Sequence, residues 1–229
     1  MNLLFSIFAD DIIPIFAIAG VGFLLARHFD ASVRTVSRVS FNALSPCLVF
    51  DQLVTSNLTG SEFGRMALFC VLLTASMGLA ARLAAVPLRL DRQTLSSFLL
   101  VVMFSNSGNY ALPVVLFAFG DVALGHASVY FVTSAVLVYT VGVFVAAKRL
   151  SMRRAFLSLA RVPAIYAVAA ASVVLVTRVE LPVAVMRPIS MLSDAALPTM
   201  LLVLGMQLER AVMPKRPAAV AIAVMLSLV

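Results

Sequence analysis

The sequence predicts an all-α polytopic membrane protein: inverted five-helix repeats with a broken crossover helix. Three observations predict it. Of 229 residues, 62% are hydrophobic and only 12% charged, about half the 25% or so of a soluble domain. The basic residues segregate into alternate loops. A short motif recurs at a fixed offset along the chain. The apolar runs are long and unpunctuated, the signature of spanning helices rather than of roughly ten-residue alternating barrel strands.

Eight apolar runs divide the chain, at 12–26, 36–54, 66–88, 95–119, 124–147, 162–177, 188–207 and 217–229. The first lacks a basic leader and a small-residue cleavage site, so it is an uncleaved span. The second carries Pro46, the third follows Arg65 and contains Arg82 toward its end, and the fourth has a polar centre. The fifth is followed by Lys148, the sixth is bounded by Arg161 and Arg178, and the seventh contains Asp194 and Pro198. Some charge-free cores fall short of the roughly 20 residues a span needs. Snorkelling of Arg27, Arg82 and Arg161 supplies the difference.

Loop charge sets the orientation. One set of alternate loops holds 14 of the 17 Lys and Arg; the other holds only Arg65, Arg178 and Arg187. A single missed helix would scramble that alternation. The positive-inside rule puts the N-terminus outside and the basic loops in the cytoplasm. The expected location is the plasma membrane, the inner membrane of a bacterium. The net charge of +7 is dispersed between apolar runs, unlike the one-sided basic face of a nucleic-acid binder. Cys47 and Cys70 both fall in apolar runs, a usage that points to neither a disulfide framework nor a metal site. No cofactor motif is present.

The repeat lies in the second and seventh runs. Asn42-Ala43-Leu44-Ser45-Pro46-Cys47-Leu48-Val49-Phe50 resembles Asp194-Ala195-Ala196-Leu197-Pro198-Thr199-Met200-Leu201-Leu202, at an offset of 152 residues. The same offset carries the first run onto the sixth and the third onto the eighth. The unit is therefore five helices, and an odd unit must invert between copies, a secondary-transporter architecture. Residues 1–150 form the first repeat and 151–229 an incomplete second one. The fourth and fifth runs should find partners near 246–271 and 273–299. The expectation is a carrier of roughly 300 residues, of which this chain holds about 7.5 of ten spans.

The fourth run contains Phe104-Ser105-Asn106-Ser107-Gly108-Asn109-Tyr110-Ala111-Leu112-Pro113, inside a charge-free stretch from 93 to 120. Two Asn, two Ser, a Gly and a Pro disfavour a continuous helix. Unwound backbone at membrane depth survives only where protein or a water-filled cavity covers it. Asn106, Ser107, Gly108, Asn109 and Pro113 are therefore the first candidate site. The second half of a broken helix offers N–H groups with partial positive charge to a carboxylate. Asp194 lies at depth in the seventh run, where ionisable groups are costly and usually functional. It is a candidate proton- or cation-coupling group, the alternatives being a solvated vestibule or a pair with Arg187. Asn42, its repeat mate, is a candidate to line the same cavity, core hydrogen bonding being the alternative, and Pro46 and Pro198 are candidates to kink their helices beside it. Asp51 and Gln52, at the outer end of the second run, read as interface residues, the alternative being an outer vestibule.

These motifs resemble the auxin efflux carrier family, bacterial and plant membrane carriers, over the whole chain. Asn106 to Pro113 is similar to the family's Asn-x-Gly-x-x-Gly-x-Pro crossover, with Ala111 where Gly is usual. Ala43 to Phe50 and Asp194 to Leu208 are similar to its Leu-x-Pro-x-Leu-x-Phe and Ala-x-Pro…Leu-Gly helices. The resemblance implies ten helices in two inverted repeats, with the fourth and ninth crossing at broken centres. It also implies transport of small organic anions such as malate- or malonate-type dicarboxylates. No Walker-type loop is present, so coupling would come from a proton or sodium gradient. An intramembrane enzyme would need a base or a metal cluster at depth, and no His-Glu-x-x-His is present. A chain ending at Val229 would be a non-transporting fragment unless a homodimer supplied the missing helices.

Overall fold

The computed structural model describes residues 12–29, 31–55, 59–88, 90–146, 160 and 162–210. The expected eighth span at 217–229 and most of the basic loop at 148–161 lie outside the described residues. Among the described residues the regular structure is helical, with no strand. In order the helices are α1 (Ile13–His28), α2 (Val33–Val39), α3 (Ser45–Thr55), α4 (Gly60–Leu88), α5 (Arg92–Met103), α6 (Leu112–Leu137), α7 (Val143–Ala146), α8 (Pro163–Thr177) and α9 (Val183–Glu209). By length and composition α4, the stretch Thr94–Ala146 and α9 can each cross a membrane, while α1 and α8 are shorter apolar helices. The chain is an all-α polytopic membrane protein.

Local chemistry starts and stops these helices. The Ser32 hydroxyl accepts the Thr35 N–H at 3.3 Å and opens α2. The Asp91 carboxylate accepts the Thr94 N–H at 3.2 Å and opens α5. Each satisfies an amide that the first turn would leave orphaned. Proline occupies the first turn of α1, α6 and α8, where its missing N–H costs nothing. Gly120, at φ 78°, turns the chain sharply inside α6. Only glycine takes that φ without strain, so the fourth and fifth spans meet with no loop between them.

α2 and α3 form one rod with a π-helical turn, Ser40–Leu44, in its middle. Pro46 has no N–H to continue an α-helical ladder. The turn ahead of it widens, and the Ser45 N–H reaches back five residues to the Ser40 carbonyl. The Ser45 hydroxyl donates to that same carbonyl at 2.8 Å. Pro198, at the matching repeat position, sits inside an uninterrupted α9.

The packing follows the repeat. α1 lies against α9, and α8 lies against α3; α3 and α9 also meet directly. The first helix of each half thus packs on the second helix of the other. Burial carries the same offset: Leu44, Ser45, Leu48, Val49, Asp51 and Leu53 are buried, and so are Ala196, Leu197, Met200, Leu201, Val203 and Gly205. Ile15 and Ala19 on α1 correspond to Ala167 and Ala171 on α8, all four buried. The main core gathers Leu44, Leu48, Leu112, Leu124, Phe131 and Met200.

α1 and α9 touch backbone to backbone. A Cβ on Gly22 would overlap the Leu202 carbonyl, and one on Gly205 would overlap the Ala19 carbonyl. Small residues permit such approach, the usual glue between helices in lipid. Gly20, two residues away, faces open space. Gly205→Val should destabilise the folded protein by about 1–3 kcal/mol through overpacking. Gly20→Ala should be neutral or stabilising by up to about 1 kcal/mol from helix propensity. Thermal melts in detergent of the two variants measure the contrast.

Candidate functional site

α5 ends at Phe104, whose N–H still reaches the Leu100 carbonyl at 3.1 Å. The next π-helical turn is Ser107–Ala111, which runs directly into α6. The break is only three residues long. Asn106 sits at φ −75°, ψ 71°, and the Ser107 N–H donates to the Ser105 carbonyl at 2.8 Å. That is an inverse γ-turn. The Asn106 side-chain oxygen then accepts the Asn109 N–H at 3.1 Å, and its backbone carbonyl accepts the Ala111 N–H at 3.2 Å. One residue thus makes the turn and caps the restarted helix.

This capping changes the chemistry expected of the break. The Ser107, Asn109 and Ala111 amides are satisfied locally. The polar side chains at the break are the carboxamides of Asn106 and Asn109 and the hydroxyls of Ser105 and Ser107, of which that of Ser105 is hydrogen-bonded to Tyr130. All four residues, with Gly108, line one cavity of about 280 Å³. Phe41, Phe131, Ser134, Ala135, Val138 and Tyr139 complete its wall. Phe41 and Tyr139 lie ring to ring at 6.5 Å. Gly108 admits the Phe131 ring, which a Cβ there would meet at 2.9 Å. The described lining carries no charge: it combines neutral donors with aromatic faces.

Pro113 does not lie in the gap. It is fully buried in the first turn of α6 and lines no described cavity. Proline is pre-organised for a helix start, so it restarts the helix rather than breaking it. Asn42 is exposed, and its side-chain N–H donates to the Arg38 carbonyl at 2.8 Å. Neither Asn42 nor Pro46 lines either described cavity.

Asp194 lines a second cavity, of about 200 Å³, with Gln52, Asp121, Ser193 and Pro198 among apolar neighbours. Asp194 is exposed on that wall rather than buried. Pro198, on the same wall, has no N–H to offer the Asp194 carbonyl four residues earlier. Two carboxylates and an amide make this cavity acidic, suited to a cation and hostile to an anion. Gln52 lies on the wall of this cavity. Asp51 is buried and accepts the Ser190 hydroxyl at 3.0 Å, tying α3 to α9. Asp121 and Ser193 had no distinctive signal in the sequence. Asp121 follows Gly120, and a turn recognised there would have placed it at a helix start.

The model of the family described as "Membrane transport protein" matches residues 7–229. The chain belongs to that family. The resemblance to auxin efflux carriers stands on the same match. Neither a curated protein nor a solved structure matches the chain. In this membrane transport protein the sequence signals converge unequally. Asn106, Ser107, Gly108 and Asn109 share one cavity, Asp194 lines another, and Pro113, Asn42 and Pro46 lie outside both. No His, Cys, Asp and Glu cluster suited to a metal occurs among the described residues.

Asn106→Ala should cost about 1 kcal/mol of stability by uncapping the restarted helix. Asn106→Ser, which keeps a side-chain acceptor, should recover most of it. Detergent melts of the two variants decide the capping role.

Proposed function

We propose that this protein is a secondary active carrier of small organic anions of the dicarboxylate type, working by alternating access in the plasma membrane. The observation that carries the proposal is the gathering of Asn106, Ser107, Gly108 and Asn109 around one cavity at the helix break. Neutral amides and hydroxyls bind a carboxylate without the cost of burying a compensating cation. At about 30 Å³ per water, 280 Å³ is the share of roughly nine waters, room enough for a short dicarboxylate.

The acidic cavity has the opposite chemistry and serves the driving ion. Asp194 takes a proton or sodium ion there, with Asp121 and Gln52 as neighbours. Residues 1–150 and 151–229 act as two inverted repeats, supported by the shared burial offset and the exchanged packing of α1 and α8. The N-terminus lies outside, as the loop charges require. Phe41 on the wall of the crossover cavity follows Arg38 by three residues, which supports a cytoplasmic-side position for that cavity.

Purified protein in liposomes should accumulate radiolabelled malonate when a proton or sodium gradient is imposed. Asn109→Ala should lower the initial rate about tenfold, the loss of roughly one charge-assisted hydrogen bond, with the melting temperature unchanged. Asp194→Asn should leave exchange between two malonate pools intact and abolish the response to the gradient. Equal loss of exchange and of gradient response in Asp194→Asn would place Asp194 in the solute site instead.

A further inference from the structure

Three π-helical turns meet at the crossover cavity. Ser107–Ala111 supplies Ser107, Gly108 and Asn109 to its wall, Ser40–Leu44 supplies Phe41, and Val138–Gly142 supplies Val138 and Tyr139. Single π turns inside α-helices occur frequently at functional sites. Two of the three have a local cause. Pro46 and Pro113 each lie two residues past their turn and deny an N–H to the carbonyl four residues back. The third has no such cause: the next proline after it is Pro163. It nevertheless sets Tyr139 against Phe41.

The pair is assembled from distant parts of the chain. Phe41 comes from the α2–α3 rod and Tyr139 from the end of the fifth span. Their ring centroids lie 6.5 Å apart with planes inclined at 35°, inside the range of attractive aromatic pairs. Both rings are half-buried and pack against the main core. A ring held by the core and by a second ring cannot swing aside as an unbranched, flexible side chain can. The third ring of the cavity, Phe131, is buried and seated against Gly108. The rest of the wall is small: Ser, Asn, Ala and Val. Phe41 and Tyr139 are therefore its large, firm part.

We propose that Phe41 and Tyr139 are specificity-determining residues: their paired rings form the wall that limits the length of the dicarboxylate held by Asn106 and Asn109. This rests on the carrier function proposed above and adds the residues that select among dicarboxylates. Malonate has a single methylene between its carboxylates. Each further methylene must be taken up by space that the paired rings occupy. One methylene that a pocket does not accommodate changes relative rates by about 10–200-fold, so a rigid wall at this place is enough to choose between neighbouring members of the series.

Two measurements on the intact protein test this. In liposomes, uptake of malonate, succinate and glutarate is compared in wild type, Phe41→Leu, Tyr139→Leu and Phe16→Leu. Phe16 is exposed on α1 and lines neither described cavity. Wild type should favour malonate over glutarate. Phe41→Leu and Tyr139→Leu should each raise the glutarate-to-malonate ratio of kcat/KM about tenfold, and Phe16→Leu should leave it unchanged. An equal fall for all three solutes, or an unchanged ratio, in either cavity variant would reduce the pair to packing and overturn the proposal. The second measurement reads binding without transport, from the melting temperature in detergent. Malonate should raise that of wild type more than glutarate does. Equal shifts with all three dicarboxylates, or no shift with any, overturn the proposal even where a variant fails to fold. If wild type moves none of the three but malonate alone raises its melting temperature, the length selection stands and the carrier function fails.

Discussion

A peptide group in hydrocarbon must have a hydrogen-bond partner, and the arrangement around Asn106 answers that demand. Breaking a spanning helix strands several N–H and C=O groups at once. Here the γ-turn, the Asn106 side chain and the widened turn after it reabsorb the Ser107, Asn109 and Ala111 amides within a few residues. The unwound segment is then small enough for α6 and α9 to cover. Asn and Ser residues line the cavity there, and unlike a helix dipole their carboxamides and hydroxyls can be exchanged one at a time by substitution.

The close approach of α1 and α9 supports the same region from behind. α9 contacts the crossover turn, the Ser40–Leu44 turn and α3 together. Its position is held by Gly22 and Gly205, where backbone meets backbone. Side chains there would push α9 away from the elements that line both cavities. Asp51 adds a polar tie from α3 to α9 through Ser190. Lipid supplies no hydrophobic force between helices, so shape and buried hydrogen bonds carry the association.

Much of this was legible in the sequence, and the reasons are specific. The polar run from Ser105 to Asn109 announces a break because such residues are expensive in a lipid-facing helix. The motif around Pro46 and Pro198 announces the repeat, and the burial pattern follows the same offset. Pro113 opens α6; proline both breaks helices and begins them, and only the register separates the two. The partner of Asn42, the Arg38 carbonyl, is local and leaves no trace in composition. The turn at Gly120 was hidden in an apolar run, and with it Asp121.

The widened turn at Ser40–Leu44 makes the two halves mechanically unlike. An α-helical rod resists bending because its ladder of hydrogen bonds is regular; a π turn beside a proline interrupts that ladder and yields first. α9 absorbs Pro188 and Pro198 without leaving α geometry, whereas the α2–α3 rod answers Pro46 with a widened turn, although their sequences are related. Symmetry of ancestry therefore does not carry over into symmetry of shape: the same residue type yields a π turn beside Phe41, on the wall of the crossover cavity, and a plain helix beside Asp194.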